Sequence, residues 1–130
     1  MNVRWDTPPW PPPPSGLRTK VGSHSVMAAQ LRYLAELARS HKALIQVVRF
    51  LDGAHAPMGS MLHLLTFADA PPMAYSEGAH TGHLTDEPAL VARHFRSYDL
   101  ARAVAQPPEA SLALIESAAE DHERQCQQKT

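Results

Sequence analysis

The sequence predicts an α+β fold: a small antiparallel three-stranded sheet packed with about three helices. Apolar residues recur at helical spacing in two stretches, residues 23–41 and 107–120, with a third helical stretch between Asp86 and Ala105. Short runs rich in branched and aromatic side chains lie between residues 44 and 77. The connections between those runs are too short for parallel crossovers, so the strands pair antiparallel.

The elements follow in order. Six of the twelve prolines fall between Pro8 and Pro14, where fixed φ and missing donors favour an extended polyproline arm over residues 1–16. The arm either binds an aromatic groove in a partner, straps the protein's own surface through Trp5 and Trp10, or is a disordered leader. From Ser23, a fitting N-cap, Met27, Leu31, Leu34 and Ala38 recur at spacings of four, three and four, marking an amphipathic helix that ends near Arg39 to His41. Leu44 to Phe50 is read as a first strand, residues 52–59 as a loop, Met61 to Phe67 as a second strand, and Met73 to Glu77 as a third after the turn at Asp69 to Pro72. Gly78 to His83 is a flexible, glycine-punctuated segment. Asp86 then caps a helix from about Glu87 to Ala105, with Pro88 in its first turn. Pro107-Pro108-Glu109 starts a last helix that turns Leu112, Ile115 and Ala119 inward, while the polar residues from Asp121 onward fray. The organisation is an arm (1–16), a single domain (17–123) and a polar tail (124–130).

Composition narrows the functional classes. The 130 residues suffice for a single core. Twelve Lys plus Arg against thirteen Asp plus Glu leave a net charge of -1, so no broad positive field draws nucleic acid and no direct nucleic-acid binding is expected. No apolar run approaches the ~20 residues of a membrane span. The N-terminal segment carries no apolar signal core, and the single Cys126 closes no internal disulfide, which predicts a cytoplasmic protein. Cys126 sits in a Gln-rich tail where nothing activates a thiol. Phosphate loops, paired Cys-x-x-Cys elements, zincin helices and nucleophile elbows are all missing from the sequence, so no cofactor and no metal are expected.

Histidine is the enriched chemical residue, with eight copies. His55 follows the first predicted strand, His63 shares a strand face with Leu65 and Phe67, and His80 and His83 follow the third strand, which Glu77 closes. If these loops and faces converge on one concavity, Glu77, His55, His63, His80 and His83 form an acid-base cluster. Arg49 can then hold an anionic or enolate-like group, with Tyr75, Phe67 and Leu65 as apolar lining. Competing readings are simpler. A strand histidine such as His63 is more often a hydrogen-bonded, semi-buried residue, and Glu77 can pair with Arg93 or Arg96. Zinc on His80-x-x-His83 plus Glu77 is chemically feasible, but the spacing is weak support. His24, His41 and His122 read as surface or helix-end residues, and His94 as a partly buried packing residue.

One resemblance accompanies this reading. Val26-Met27-Ala-Ala-Gln-Leu31, Ile45-Gln-Val-Val, Gly53-Ala-His55, Gly59, Leu64-Leu65-Thr-Phe67-Ala-Asp69, Tyr75-Ser-Glu77 and Ser111 in Pro-Pro-Glu-Ala-Ser-Leu occur in the order seen in DUF5753 domains. The resemblance covers roughly residues 16–118. It implies kinship with the C-terminal part of antitoxin-like, XRE-type helix-turn-helix regulators of actinomycetes, a part thought to sense a ligand or partner. Set against that resemblance, the DNA-reading domain of such regulators is expected to be missing from this chain. Glu77 and His55 match the family pattern, whereas Arg49, His63, His80 and His83 depart from it.

Two functions from different classes follow. In the first, the sensor pocket has become a cofactor-independent enzyme of natural-product biosynthesis, a lyase and cyclase. It would dehydrate a polyketide-type, hydrophobic small molecule by β-elimination and close a ring by conjugate addition. In the second, the chain is a stand-alone sensory or antitoxin-like binding module of a transcriptional regulator. The resemblance also implies that a preceding helical segment is missing, which would expose part of the sheet or helix core and predicts a homodimer.

Overall fold

A computed structural model describes residues 17, 20, 22–49, 61–78 and 80–128. The elements run α1 (His24–Arg39), β1 (Met61–Leu65), β2 (Met73–Glu77), β3 (Gly82–Thr85), α2 (Pro88–Val104) and α3 (Pro108–Gln127). Three helices and an antiparallel three-stranded sheet make an α+β fold. The proline-rich arm and the loop carrying His55 lie outside the described residues. The chain divides into two compact units, residues 1–52 with 105–130, and residues 53–104.

The first unit is a helix pair. The Ser23 hydroxyl accepts the Val26 amide at 3.2 Å, capping α1 where four amides would otherwise lack partners. α1 turns Met27, Ala28, Leu31, Leu34 and Ala35 inward, and α3 meets it with Ile115, Ala118 and Ala119. The small side chains of Ala35, Ala118 and Ala119 let the helices approach closely, and the fully buried Leu31, Ile45 and Ile115 contribute about 2 kcal/mol each. α1 ends with His41 in the left-handed region, φ 55°. The His41 amide bonds the Ala38 carbonyl and the Lys42 amide the Leu37 carbonyl, each at 3.2 Å, closing the terminus in the pattern usually completed by glycine. Arg32 donates to both oxygens of Glu123 at 2.8 and 2.9 Å across the pair, and Arg39 bonds Glu116. Those hydrogen bonds from Arg32 hold the Glu123 carboxyl below the usual carboxylate range. The ions are solvated, so they set helix register more than stability.

Three expectations are corrected here. Residues 44–49 are not a sheet strand. Ile45 and Val47 are buried in the helix-pair core, and the Val47 backbone is already engaged: its amide donates to Ser111 Oγ at 2.9 Å and its carbonyl accepts the Gln106 amide at 2.8 Å. Gln46 Nε2 and Ser111 Oγ both donate to the Gln106 carbonyl, each at 3.1 Å. The branched side chains serve a buried extended segment, and its hydrogen bonds go to the start of α3. The polar end also does not fray at Asp121; α3 continues to Gln127. His122, expected on the surface, is only 2% exposed and bonds the Leu17 carbonyl at 3.1 Å.

The second unit holds the sheet, in the order β1-β2-β3, both pairs antiparallel. β1 and β2 are the expected strands, the first ending at Leu65 and not Phe67. The remaining strand is β3, which begins inside the segment expected to be flexible and runs past its end at His83; the Gly78 amide bonds the Thr81 carbonyl at 2.9 Å and turns the chain into it. α2 matches its expected span within one residue at each end and packs on β2, with Val91 and Ala74 buried. Among the described residues no helix is long and apolar enough to cross a membrane.

Candidate functional site on the sheet

Successive residues of a strand face opposite sides, and directly paired residues share a side. His63 pairs with Tyr75, and Tyr75 with Leu84; with Met61, Leu65, Met73 and Glu77 they occupy one face. Leu62, Leu64, Ala74, Ser76, His83 and Thr85 occupy the other. The second face is the covered one, since Ala74 is 1% exposed and Leu62 and Leu64 are half-buried while their neighbours on β1 are exposed.

The parity decides which predicted site residues meet. His63, Tyr75 and Glu77 do: the His63 and Tyr75 rings stand 5.9 Å apart at 41°, and Glu77 lies one pleat further along β2. Tyr75 leans towards β3 over Gly82, where a Cβ would overlap the phenol. Gly82 thus gives the ring its seat. His83 pairs with Ser76 on the opposite face, and His80 is exposed in the β2–β3 turn, so these histidines do not converge with His63. Leu65 shares the His63 face. Phe67 lies beyond the end of β1 and lines an open groove of about 290 Å³ with Ala70, Pro71, Met73 and Asp86. Arg49 belongs to the first unit, and His55 lies outside the described residues. Among the described residues no three His, Cys, Asp or Glu side chains come together to hold a metal ion.

Chemically, the open face offers an imidazole, a phenol and a carboxylate within one or two pleats, ringed by apolar side chains. Met61 is 55% exposed, Leu65 41% and Leu84 60%. Sequence reasoning missed a different polar pair, His24 and His122, whose Nδ1 atoms are 2.8 Å apart. The signal was present: His122 continues the inward stripe of Ile115 and Ala119 at spacings of four and three, and His24 precedes Met27 and Leu31 by three and seven.

No curated protein and no solved structure matches the chain. The ordered motifs quoted above for the helix, the buried extended segment, the strands and Ser111 do find a counterpart. The model of the family described as a domain of unknown function, DUF5753, matches residues 13–117, from the end of the proline run into the middle of α3, and the chain belongs to that family.

Proposed function

We propose that this chain is a binding module, the sensory or antitoxin-like part of a regulator, which engages a protein partner through the open face of the sheet. One observation carries the reading: Met61, Leu65 and Leu84 stand exposed on the face that also presents His63 and Tyr75. Strand spacing and rise make this patch about 10 Å across and about 16 Å long. It is flat. Small molecules bury most of their surface in concave sites, whereas an exposed apolar patch rimmed by polar groups suits another protein's surface. The partner is a regulator chain presenting an apolar face, met in the cytoplasm. A second copy of this chain, giving the homodimer, is the competing occupant.

A second reading is favoured by the placement of His63, Tyr75 and Glu77 on one face. In it the module is a cofactor-independent cyclase: Glu77 or His63 removes an acidic proton from a polyketide-type substrate, a protonated group assists loss of the β-hydroxyl as water, and conjugate addition closes the ring.

Co-purification from the source strain separates the readings. A helix-turn-helix regulator is expected to accompany the wild-type, His80→Ala and His83→Ala chains and to be lost from Leu84→Asp, with no new metabolite on gene deletion. Self-association abolished by Leu84→Asp, measured by sizing with light scattering, would assign the face to the homodimer. An uncyclised precursor accumulating on deletion, restored to product by wild type but not by Glu77→Gln or His63→Ala, would overturn the binding reading in favour of the cyclase.

A further inference from the structure

The open face of the sheet runs at one end into a groove. Leu65 pairs with Met73 at that end, and Ala74 pairs with Thr85, so one residue further the register sets Met73 beside Asp86. The alternation that turns His63 and Leu65 outward carries on to Phe67. Phe67, Met73 and Asp86 line one open groove of about 290 Å³, which Ala70 and Pro71 from the connection between β1 and β2 complete. All five residues belong to the second unit.

Asp86 supplies the charge in this groove, and nothing nearby answers it. Expected as the cap of α2, it makes no side-chain hydrogen bond or ion pair among the described residues; at that point of the chain the Glu87 amide donates to Thr85 Oγ1 at 3.4 Å. Residues 53–92 contain Asp69, Glu77, Asp86 and Glu87 and no lysine or arginine. The arginines of the second unit, Arg93, Arg96 and Arg102, all come later, on α2. Asp69, next to Ala70 in the connection, adds a second carboxylate and no cation.

These features select a ligand. Phe67 is 48% exposed and offers a ring, Pro71 and Met73 offer apolar walls, and Asp86 offers an anion. A cation on an apolar stem satisfies all three, its stem covering the walls while its head meets the ring and the carboxylate. Guanidinium suits the site better than ammonium: it is planar and weakly hydrated, stacks on aromatic rings, and meets a carboxylate with two parallel N–H donors. The groove is open and at the small end of ligand pockets, which enclose most of what they bind. It therefore takes one side chain of a molecule that is also held elsewhere, and the adjoining apolar face provides that hold.

We propose that the groove between Phe67, Met73 and Asp86 receives an arginine side chain of the protein that covers the open face of the sheet. The proposal rests on the reading of that face as a protein-binding surface, and it adds what the partner must present: an arginine beside an apolar patch.

The groove is tested first without the partner. The full chain is titrated with n-butylguanidinium, n-butylammonium and n-butanol, followed by NMR at the Met73 methyl and the Phe67 ring. For a probe of about eight non-hydrogen atoms, ordinary ligand efficiency corresponds to a dissociation constant of about 20 mM. n-Butylguanidinium should bind wild type near that strength, Asp86→Asn about fivefold more weakly and Phe67→Leu about threefold more weakly. n-Butylammonium should bind less tightly, and n-butanol should not saturate. No saturable response to n-butylguanidinium, or one indifferent to Asp86→Asn, overturns the proposal; a preference for n-butylammonium overturns the choice of arginine. Co-purification gives the second readout, in which Asp86→Lys should lower recovery of the regulator about tenfold. A regulator lost from Leu84→Asp but kept by Asp86→Lys refutes the arginine contact and leaves the open-face reading standing. Asp86-dependent probe binding with a regulator kept by Leu84→Asp refutes the open-face reading itself.

Discussion

Replacing Ser111 by alanine tests how the buried extended segment is tied to the helix pair. Ser111 is 0% exposed; its hydroxyl accepts the Val47 amide and donates to the Gln106 carbonyl. Removing it leaves the Gln106 carbonyl with its bond from Gln46 Nε2, so little is lost at that end. The Val47 amide, in contrast, is stranded in the core, where an unsatisfied donor costs about 1–3 kcal/mol. We expect a loss of about 2 kcal/mol. With a urea slope of about 2 kcal/mol per molar, the midpoint falls by about 1 M in unfolding followed by helical circular dichroism. Ser117→Ala, exposed on the same helix, should stay within about 0.5 kcal/mol of wild type. Gln46→Ala should cost more in the Ser111→Ala background than alone, by about 1 kcal/mol, since only the double variant strips both side-chain donors from the Gln106 carbonyl. A Ser111→Ala protein within about 0.5 kcal/mol of wild type would refute the reasoning, because it would mean the Val47 amide finds another partner at no cost.

Two further substitutions probe local geometry. Gly82→Ala forces the Tyr75 ring off its seat and should destabilise the sheet by about 1–2 kcal/mol; urea unfolding in a Tyr75→Ala background should show less than half of that penalty, and an unchanged penalty would mean that the phenol is not the obstacle. His41→Gly relieves a left-handed residue at the end of α1 and should stabilise by about 0.5–1 kcal/mol, seen as a higher thermal midpoint. A lower midpoint would show that the His41 side chain contributes more than its backbone strain costs.

The helices were legible because spacing and punctuation agreed. Ser23 and the stripe of Met27, Leu31 and Leu34 define α1, and Pro107-Pro108 opens α3. Leu44 to Phe50 was not legible as what it is. A buried extended segment needs the same branched side chains as a strand, and the two differ only in where the backbone bonds go. Here the partners are Gln106 and Ser111, 60 and 64 residues along the chain from Gln46 and Val47. β3 was hidden for the opposite reason. Gly-His-Leu-Thr has little strand preference, and pairing with Tyr75 to Glu77 supplies what propensity lacks. Once β3 is a strand, parity separates His83 from His63, so the predicted histidine cluster depended on an element that sequence could not reveal. The grouping of His63 with Leu65 needed only the alternation of β1 itself. His122 was misread because its polar type outweighed its position on the inward stripe of α3.

The clasp between Val47 and Gln106 has an evolutionary corollary. It fastens together the two passages of chain that flank residues 53–104, just before the chain leaves the helix pair and just after it returns. To the helix pair, the sheet unit is therefore an insertion whose two ends are already pinned side by side. Closing a longer loop costs little once its ends are fixed, about 0.6 kcal/mol for each doubling of length. Strands, turns and exposed side chains in that insertion can be exchanged, lengthened or trimmed without reworking the core that Ser111 and Ile115 maintain. Divergence among relatives should then concentrate between the two pinned passages, with the helix pair conserved.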